Sequence, residues 1–250
     1  MSGQSVSPGF ELQGSATRPV IRGRHLVVAC GHYLAALAGM RVRDRGGNAI
    51  DAGVAMAFAQ AVLEFQSYGF GGECPILIYS AATREVVAIN GNTRAPAAAT
   101  TEWFRERGIT LIPGDGFLPA GVPAAPDALI TALDRYGRLT LKDVLAPAIE
   151  LAAGGFPVYE GMRDRIVATA DRFRSEWPTS AALFLPGNRV PDVGESWRDP
   201  DLARTFEKLV EAEHNAHHLG RSAALRAARD RFYKGDIARE IVAFQRETKV

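Results

Sequence analysis

Few side chains sit at a spacing that could do chemistry. Glu211, His214 and His218 fall at i, i+3 and i+7 of one helical face, with His217 beside them. Two histidines four apart can hold zinc, but the His-Glu-x-x-His arrangement is absent. No distant carboxylate or cysteine is identifiable as completing a ligand set, so the group reads as a solvated polar face and no metal is expected. Gly69 to Gly72 and Gly114-Asp115-Gly116 are glycine-rich, yet neither is followed by Gly-Lys-Ser/Thr, so neither is a phosphate loop. Thr100-Thr101 is the one adjacent threonine pair and reads as a helix cap rather than a nucleophile. Arg163, Arg165, Arg172 and Arg174 are interleaved with acids, as on a solvated helix. Cys30 and Cys74 can make no disulfide framework and lack metal-ligand spacing, so they read as small core residues.

The whole-chain totals exclude other classes. The 250 residues, 47% of them apolar, suffice for one large domain or two small ones. With 29 basic against 28 acidic residues the net charge is +1, which offers no field for nucleic acid or an anionic membrane. The apolar run Val54 to Leu63 is too short to span a bilayer. Residues 1–24 are rich in Gly, Ser, Pro and Gln and carry no apolar signal core, so they are expected to be a flexible lead, and the protein cytoplasmic. No cofactor is indicated.

The elements that must position any site follow from periodicity. Leu26 to Cys30 is a short apolar run, expected as a buried strand. His32 to Arg45 reads as a helix with cations in its last turn, stopped by Gly46-Gly47. Asn48, with Asp51 three residues on, suits a variant capping box for a helix over Ala49 to Phe65. That helix is apolar nearly all round and so should be buried. A hairpin is expected from Ile76–Ser80 and Val86–Asn90, joined by Ala81 to Arg84. A short helix follows over Glu102–Arg107, then a loop over Gly114–Pro126. The rear should be mostly helical, from about residue 127: Asp127–Tyr136, Leu141–Ala153, Tyr159–Arg174, Pro200–His214 and Asp236–Arg246. Three strands hardly make a self-sufficient sheet for 250 residues, so partner strands are expected from elsewhere.

Four segments, in order, resemble γ-glutamyltranspeptidases. They are Arg45-Gly46-Gly47-Asn48-Ala49-Ile50-Asp51-Ala52; Gly69-Phe70-Gly71-Gly72; Arg94-Ala95-Pro96-Ala97-Ala98-Ala99-Thr100; and Gly121-Val122-Pro123 followed by Tyr136-Gly137 and Leu145 to Ala152. Phe232-Tyr233 with Gly235 to Ala238 adds a similar piece, whereas residues 175 to 230 carry no match. The resemblance implies an α+β fold, part of a four-layer αββα N-terminal-nucleophile hydrolase sandwich, incomplete in this chain. Residues 25–250 would be its large-subunit region. It implies amide or γ-glutamyl cleavage through an acyl-enzyme on a threonine whose own amine is the base. That threonine lies in a Thr-Thr-His-type motif, which this sequence lacks. The chain alone is therefore expected to be inactive, with no catalytic residue of its own. Its expected partners are a small-molecule amide or γ-glutamyl substrate and the small-subunit segment that carries the nucleophile. The alternative is a non-catalytic remnant serving as a binding or scaffolding module.

Departures from the family pattern fall on the expected substrate site. The family's carboxylate-binding arginine aligns with Asn92, while an arginine stands at Arg94, two residues on. In extended backbone that shift keeps the face but moves the side chain by ~6.6 Å. Arg94 reads either as a surrogate clamp or as an ion-pair tie for the strand end. The glycine loop continues Glu73-Cys74-Pro75, and Glu73 is expected to lie beside Arg94 and pair with it. Glu73, Asn92 and Arg94 are thus the candidate substrate-binding residues. The acyl group stays open among small amides, acylated β-lactam-type amides and modified glutamyl groups.

Overall fold

The computed structural model describes residues 20–247. Most of the lead expected over 1–24 lies outside the described residues, and Val20 to Arg24 are exposed and irregular.

The front of the chain is built on a helical pair, α1 (Tyr33–Asp44) and α2 (Ala49–Leu63). The His32 imidazole caps α1, its Nδ1 accepting the Leu34 N–H at 3.2 Å. Asn48 and Asp51 form the capping box of α2. Small residues bring the two helices close: a Cβ on Gly39 would sit 2.6 Å from the Met56 side chain. Having no polar face, α2 becomes the centre of the core, packed against α1, α4 (Ala125–Tyr136) and α5 (Leu141–Gly154).

Asp51 does more than cap. It is fully buried, and besides the Asn48 N–H it accepts the N–H groups of Arg138 and Leu139 at 2.9 and 3.1 Å. Asn48 Nδ2 donates to the Tyr136 carbonyl at 2.7 Å. The Gly46-to-Ala52 turn is therefore a structural joint that holds the α4–α5 connection.

A hairpin follows α2: β1 (Ile76–Ser80) runs antiparallel to β2 (Glu85–Ile89), with Ile76 opposite Ile89 and Ser80 opposite Glu85. Its inner face carries Ile78, which is buried. On the outer face Leu77, Tyr79 and Val86 are 78%, 65% and 70% exposed.

The rear is helical, as the periodicity requires. After α3 (Thr101–Glu106), α4 and α5 come α6 (Glu160–Ser175), α7 (Pro178–Phe184), α8 (Pro200–Ala216), α9 (Arg221–Lys234) and α10 (Asp236–Glu247). Thr100 caps α3 by accepting the Trp103 N–H at 3.1 Å, so the threonine pair is indeed a helix start. Glu213, buried on α8, caps α5 from a distance: its carboxylate accepts the Leu141 and Lys142 N–H groups at 2.7 and 3.1 Å. Its neighbour Glu211 is engaged by Arg231. A second, minimal sheet pairs β3 (Phe156–Pro157) with β4 (Ser196–Trp197). Phe58, Phe70 and Phe206 join the front and rear cores through tilted and edge-on ring contacts. Helices α7 and α9 have weak apolar stripes and were not among the expected elements.

The expected strand Leu26–Cys30 is not hydrogen-bonded into any sheet. Burial nevertheless alternates along it, with Leu26, Val28 and Cys30 half-buried and Val27 and Ala29 exposed. The segment has a strand's side-chain periodicity without a neighbouring strand to bond, and pairing is what defines a strand. No helix of the described residues is long and apolar enough to cross a membrane.

Candidate substrate site

Three short stretches meet at the open end of the hairpin. Continuing the β1–β2 register outward brings Cys74 opposite Gly91, and the Cys74 N–H donates to the Gly91 carbonyl at 2.8 Å. Only glycine fits there, because an added Cβ would lie 1.9 Å from the Cys74 oxygen. On the other side, the Val122 N–H donates to the Arg94 carbonyl at 2.8 Å, an isolated antiparallel bridge. The Gly72 carbonyl closes the triangle by accepting the Ala124 and Ala125 N–H groups at 3.0 and 2.9 Å, at the start of α4. The glycine loop, the Arg94 segment and the Gly-Val-Pro turn are distant in sequence but woven into one backbone patch.

The three candidate side chains all lie in this patch, and all three residues are exposed. Their partners differ from expectation. Glu73 does not pair with Arg94. Its Oε1 accepts both the backbone N–H of Thr93, at 3.0 Å, and the Thr93 hydroxyl, at 2.7 Å. Those two bonds hold the Glu73 carboxyl below the usual carboxylate range. The physical reason is register: position 73 falls opposite 92, and it is the Thr93 backbone and hydroxyl that present donors to it. Asn92 turns inward to Asn90, whose Oδ1 accepts from both the backbone N–H and the side-chain amide of Asn92, at 3.2 and 2.7 Å. Arg94 makes no ion pair and no side-chain hydrogen bond with the described residues. No ion-pair tie by Arg94 is present among the described residues, to which its guanidinium is uncommitted.

Thr93 was missed as a participant. The signal was available: a four-residue hairpin turn at Ala81 to Arg84 fixes the register that brings residue 73 to residues 92 and 93.

A further polar group lies at the C-terminal end of α2. The Tyr159 hydroxyl donates to the Leu63 carbonyl at 2.9 Å and accepts from Gln66 Nε2 at 2.8 Å. Its ring lies 5.0 Å from that of His32, whose burial lowers the imidazole pKa. The Cys74 thiol beside Tyr68 is pushed up by burial and is not poised as a nucleophile. The histidines of α8 and its end gather no ligand set: among the described residues no group of three His, Cys, Asp or Glu is placed to hold a metal.

Residues 35–249 match the sequence pattern of the family described as gamma-glutamyltranspeptidase. The chain belongs to that family. Among its relatives, the glutathione hydrolase proenzyme of Bacillus subtilis (strain 168) is 33% identical over 226 residues, covering 88% of this chain and 35% of that protein. Gamma-glutamyltranspeptidase of Helicobacter pylori superposes with a TM-score of 0.76 at 28% identity, over 89% of this chain and 60% of that one. Cephalosporin acylase of Bacillus halodurans superposes with a TM-score of 0.74 at 34% identity, over 84% of this chain and 37% of that one. The fold is accordingly that of an α+β N-terminal-nucleophile hydrolase of the transpeptidase and acylase kind, in part. The chain spans little more than a third of the length of the Bacillus subtilis relative.

Proposed function

We propose that this chain forms the large-subunit part of a γ-glutamyltransferase- or glutathione-hydrolase-like amidohydrolase. The observation that carries this reading is an uncovered hairpin face and an unpaired extended segment: the hairpin presents Leu77, Tyr79 and Val86 to solvent, and the strand-like Leu26 to Cys30 has no strand partner among the described residues. Further strands laid on that face and along that edge would complete a sandwich, and they belong to the polypeptide that brings the nucleophilic threonine. There the threonine amine takes the hydroxyl proton, the hydroxyl oxygen attacks the amide carbonyl, the C–N bond breaks as the amine leaves with that proton, and the acyl group then passes to water or an amine, which frees the threonine.

Within this chain Arg94 is the substrate-facing cation, clamping a carboxylate of the acyl group. Support for it comes from its exposure and its lack of an ion-pair partner among the described residues. Asn92 and Glu73 border the same site, Glu73 held in place by Thr93. The three named relatives are a glutathione hydrolase, a gamma-glutamyltranspeptidase and a cephalosporin acylase, which leaves the acyl group to be fixed by local chemistry.

The test is to express the reading frame that contains these residues at its full length. Self-cleavage into two chains, seen by mass, together with release of amine from γ-glutamyl anilides or simple amides, is the expected result. A frame that ends with no companion chain and shows no acyl-enzyme would favour a non-catalytic binding module instead.

A further inference from the structure

The histidines that form no metal site stand instead at a cavity. It is a space of about 400 Å³ where the start of α5, the end of α8 and the start of α9 meet. His214, in the last turn of α8, and His217, just beyond that helix, both line it. Lys142 from α5 and Arg221 from α9 line it as well. Val210 and the buried Ala224 supply the apolar part of the lining. The volume is of the size that holds a small organic ligand. None of these residues belongs to the patch of Glu73, Asn92 and Arg94.

The lining carries more positive charge than it neutralises. Its one carboxylate, Glu213, is buried and already accepts the Leu141 and Lys142 N–H groups. The Lys142 ammonium and the two imidazoles make no ion pair and no side-chain hydrogen bond with the described residues. Arg221 donates to the Leu139 and Leu133 carbonyls at 2.6 and 2.8 Å, which fixes its guanidinium and gives its charge no counter-ion. Other acids around the cavity are committed or lie outside it. Asp134 accepts the Ser222 hydroxyl, Asp143 accepts the Thr140 hydroxyl, and Glu211 is engaged by Arg231. Glu207 lines the neighbouring groove and not this cavity. Even with both imidazoles neutral, two cations face one carboxylate that the backbone already holds.

We propose that this cavity binds a small phosphate monoester, with its phosphate among Lys142, His214, His217 and Arg221 and its organic part against Val210 and Ala224. A phosphate monoester brings three acceptor oxygens and close to two negative charges, which match several donors and more than one cation. A carboxylate, with two oxygens and one charge, leaves part of that set unmet. The organic part follows from the apolar lining, which gains by leaving water, and from a volume larger than a bare phosphate fills. The site does not rest on the reading of the chain as a hydrolase.

Titration calorimetry of the chain with phenyl phosphate, inorganic phosphate and phenylacetate tests it, at low ionic strength and near pH 7.5, where both phosphates are mostly dianions. The expected result is saturable binding of phenyl phosphate at one site, about tenfold or more tighter than either of the other two. Lys142→Gln should weaken phenyl phosphate about tenfold, and His214→Gln about fivefold. Both positions are exposed, so both variants should keep the circular dichroism spectrum of wild type. Phenylacetate binding as tightly as phenyl phosphate would overturn the dianion, and inorganic phosphate binding as tightly would overturn the organic part. Phenyl phosphate binding indifferent to both substitutions would place the ligand elsewhere and overturn the site. No saturable binding of phenyl phosphate overturns the proposal outright.

Discussion

The Glu73 carboxylate is held by Thr93 and by no cation among the described residues: one oxygen accepts both the backbone N–H and the hydroxyl of the same residue. Replacing Thr93 with Val removes the hydroxyl and keeps the backbone donor. The Glu73 pKa should then rise toward its ordinary value, measured by carboxyl-carbon NMR titration. An unchanged titration in the variant would mean that the hydroxyl does not hold this carboxylate in solution.

Asp51 should be the most sensitive single position of the front half. It is fully buried, and it accepts N–H groups from Asn48, Arg138 and Leu139. Asp51→Ala leaves those donors unsatisfied and should cost about 3 kcal/mol or more. Asp51→Asn keeps one acceptor and should cost less. Urea unfolding midpoints decide it, and equal midpoints for Asp51→Ala and wild type would refute the joint.

His32 gives the stability a pH dependence with a defined sign. Burial lowers its pKa in the folded chain, and the neutral Nδ1 accepts the Leu34 N–H. The unfolded state therefore binds the proton more readily. The stabilisation is complete above the unfolded histidine pKa of about 6.5 and is lost as pH falls through the lower folded value. His32→Asn caps α1 without titrating, so its melting temperature should fall less between pH 7 and pH 5 than that of wild type. Parallel pH profiles for the two proteins would sink this account.

The outer hairpin face predicts behaviour of the chain by itself. Leu77, Tyr79 and Val86 form an apolar patch that water covers poorly. The isolated chain should self-associate, and the double variant Leu77→Lys, Val86→Lys should be more monodisperse in sedimentation velocity. If wild type sediments as a monomer at high concentration, the open-face argument fails.

Much of this was legible from residues. The box at Asn48 and Asp51, the all-apolar α2, the Thr100 cap and the hairpin follow local rules that act within a few residues, and the structure has them within a residue or two of the expected bounds. Illegible features depended on contacts across long separations. That Asp51 would also hold Arg138 and Leu139, or that Glu213 would cap α5, is written in no local pattern, because the donors lie 87 and 72 positions away. Leu26 to Cys30 failed as a strand for the converse reason: its own residues suit one, but a ladder needs a second strand. At the candidate site, the segments that carry the motifs lie together in one backbone patch, and the side-chain pairing expected between Glu73 and Arg94 went wrong by a single residue of register.

The Asp51 joint also sets a schedule for synthesis. When α2 emerges from the ribosome, the carboxylate that it must bury has one of its three donors. The other two, on Arg138 and Leu139, are 87 and 88 residues further along the chain. At ordinary translation speeds that is a wait of roughly 4–17 seconds, during which an apolar helix cannot close over its charge. The nascent chain must therefore carry α2 unprotected for that interval, which makes the front half a client for whatever shields apolar segments at the exit tunnel.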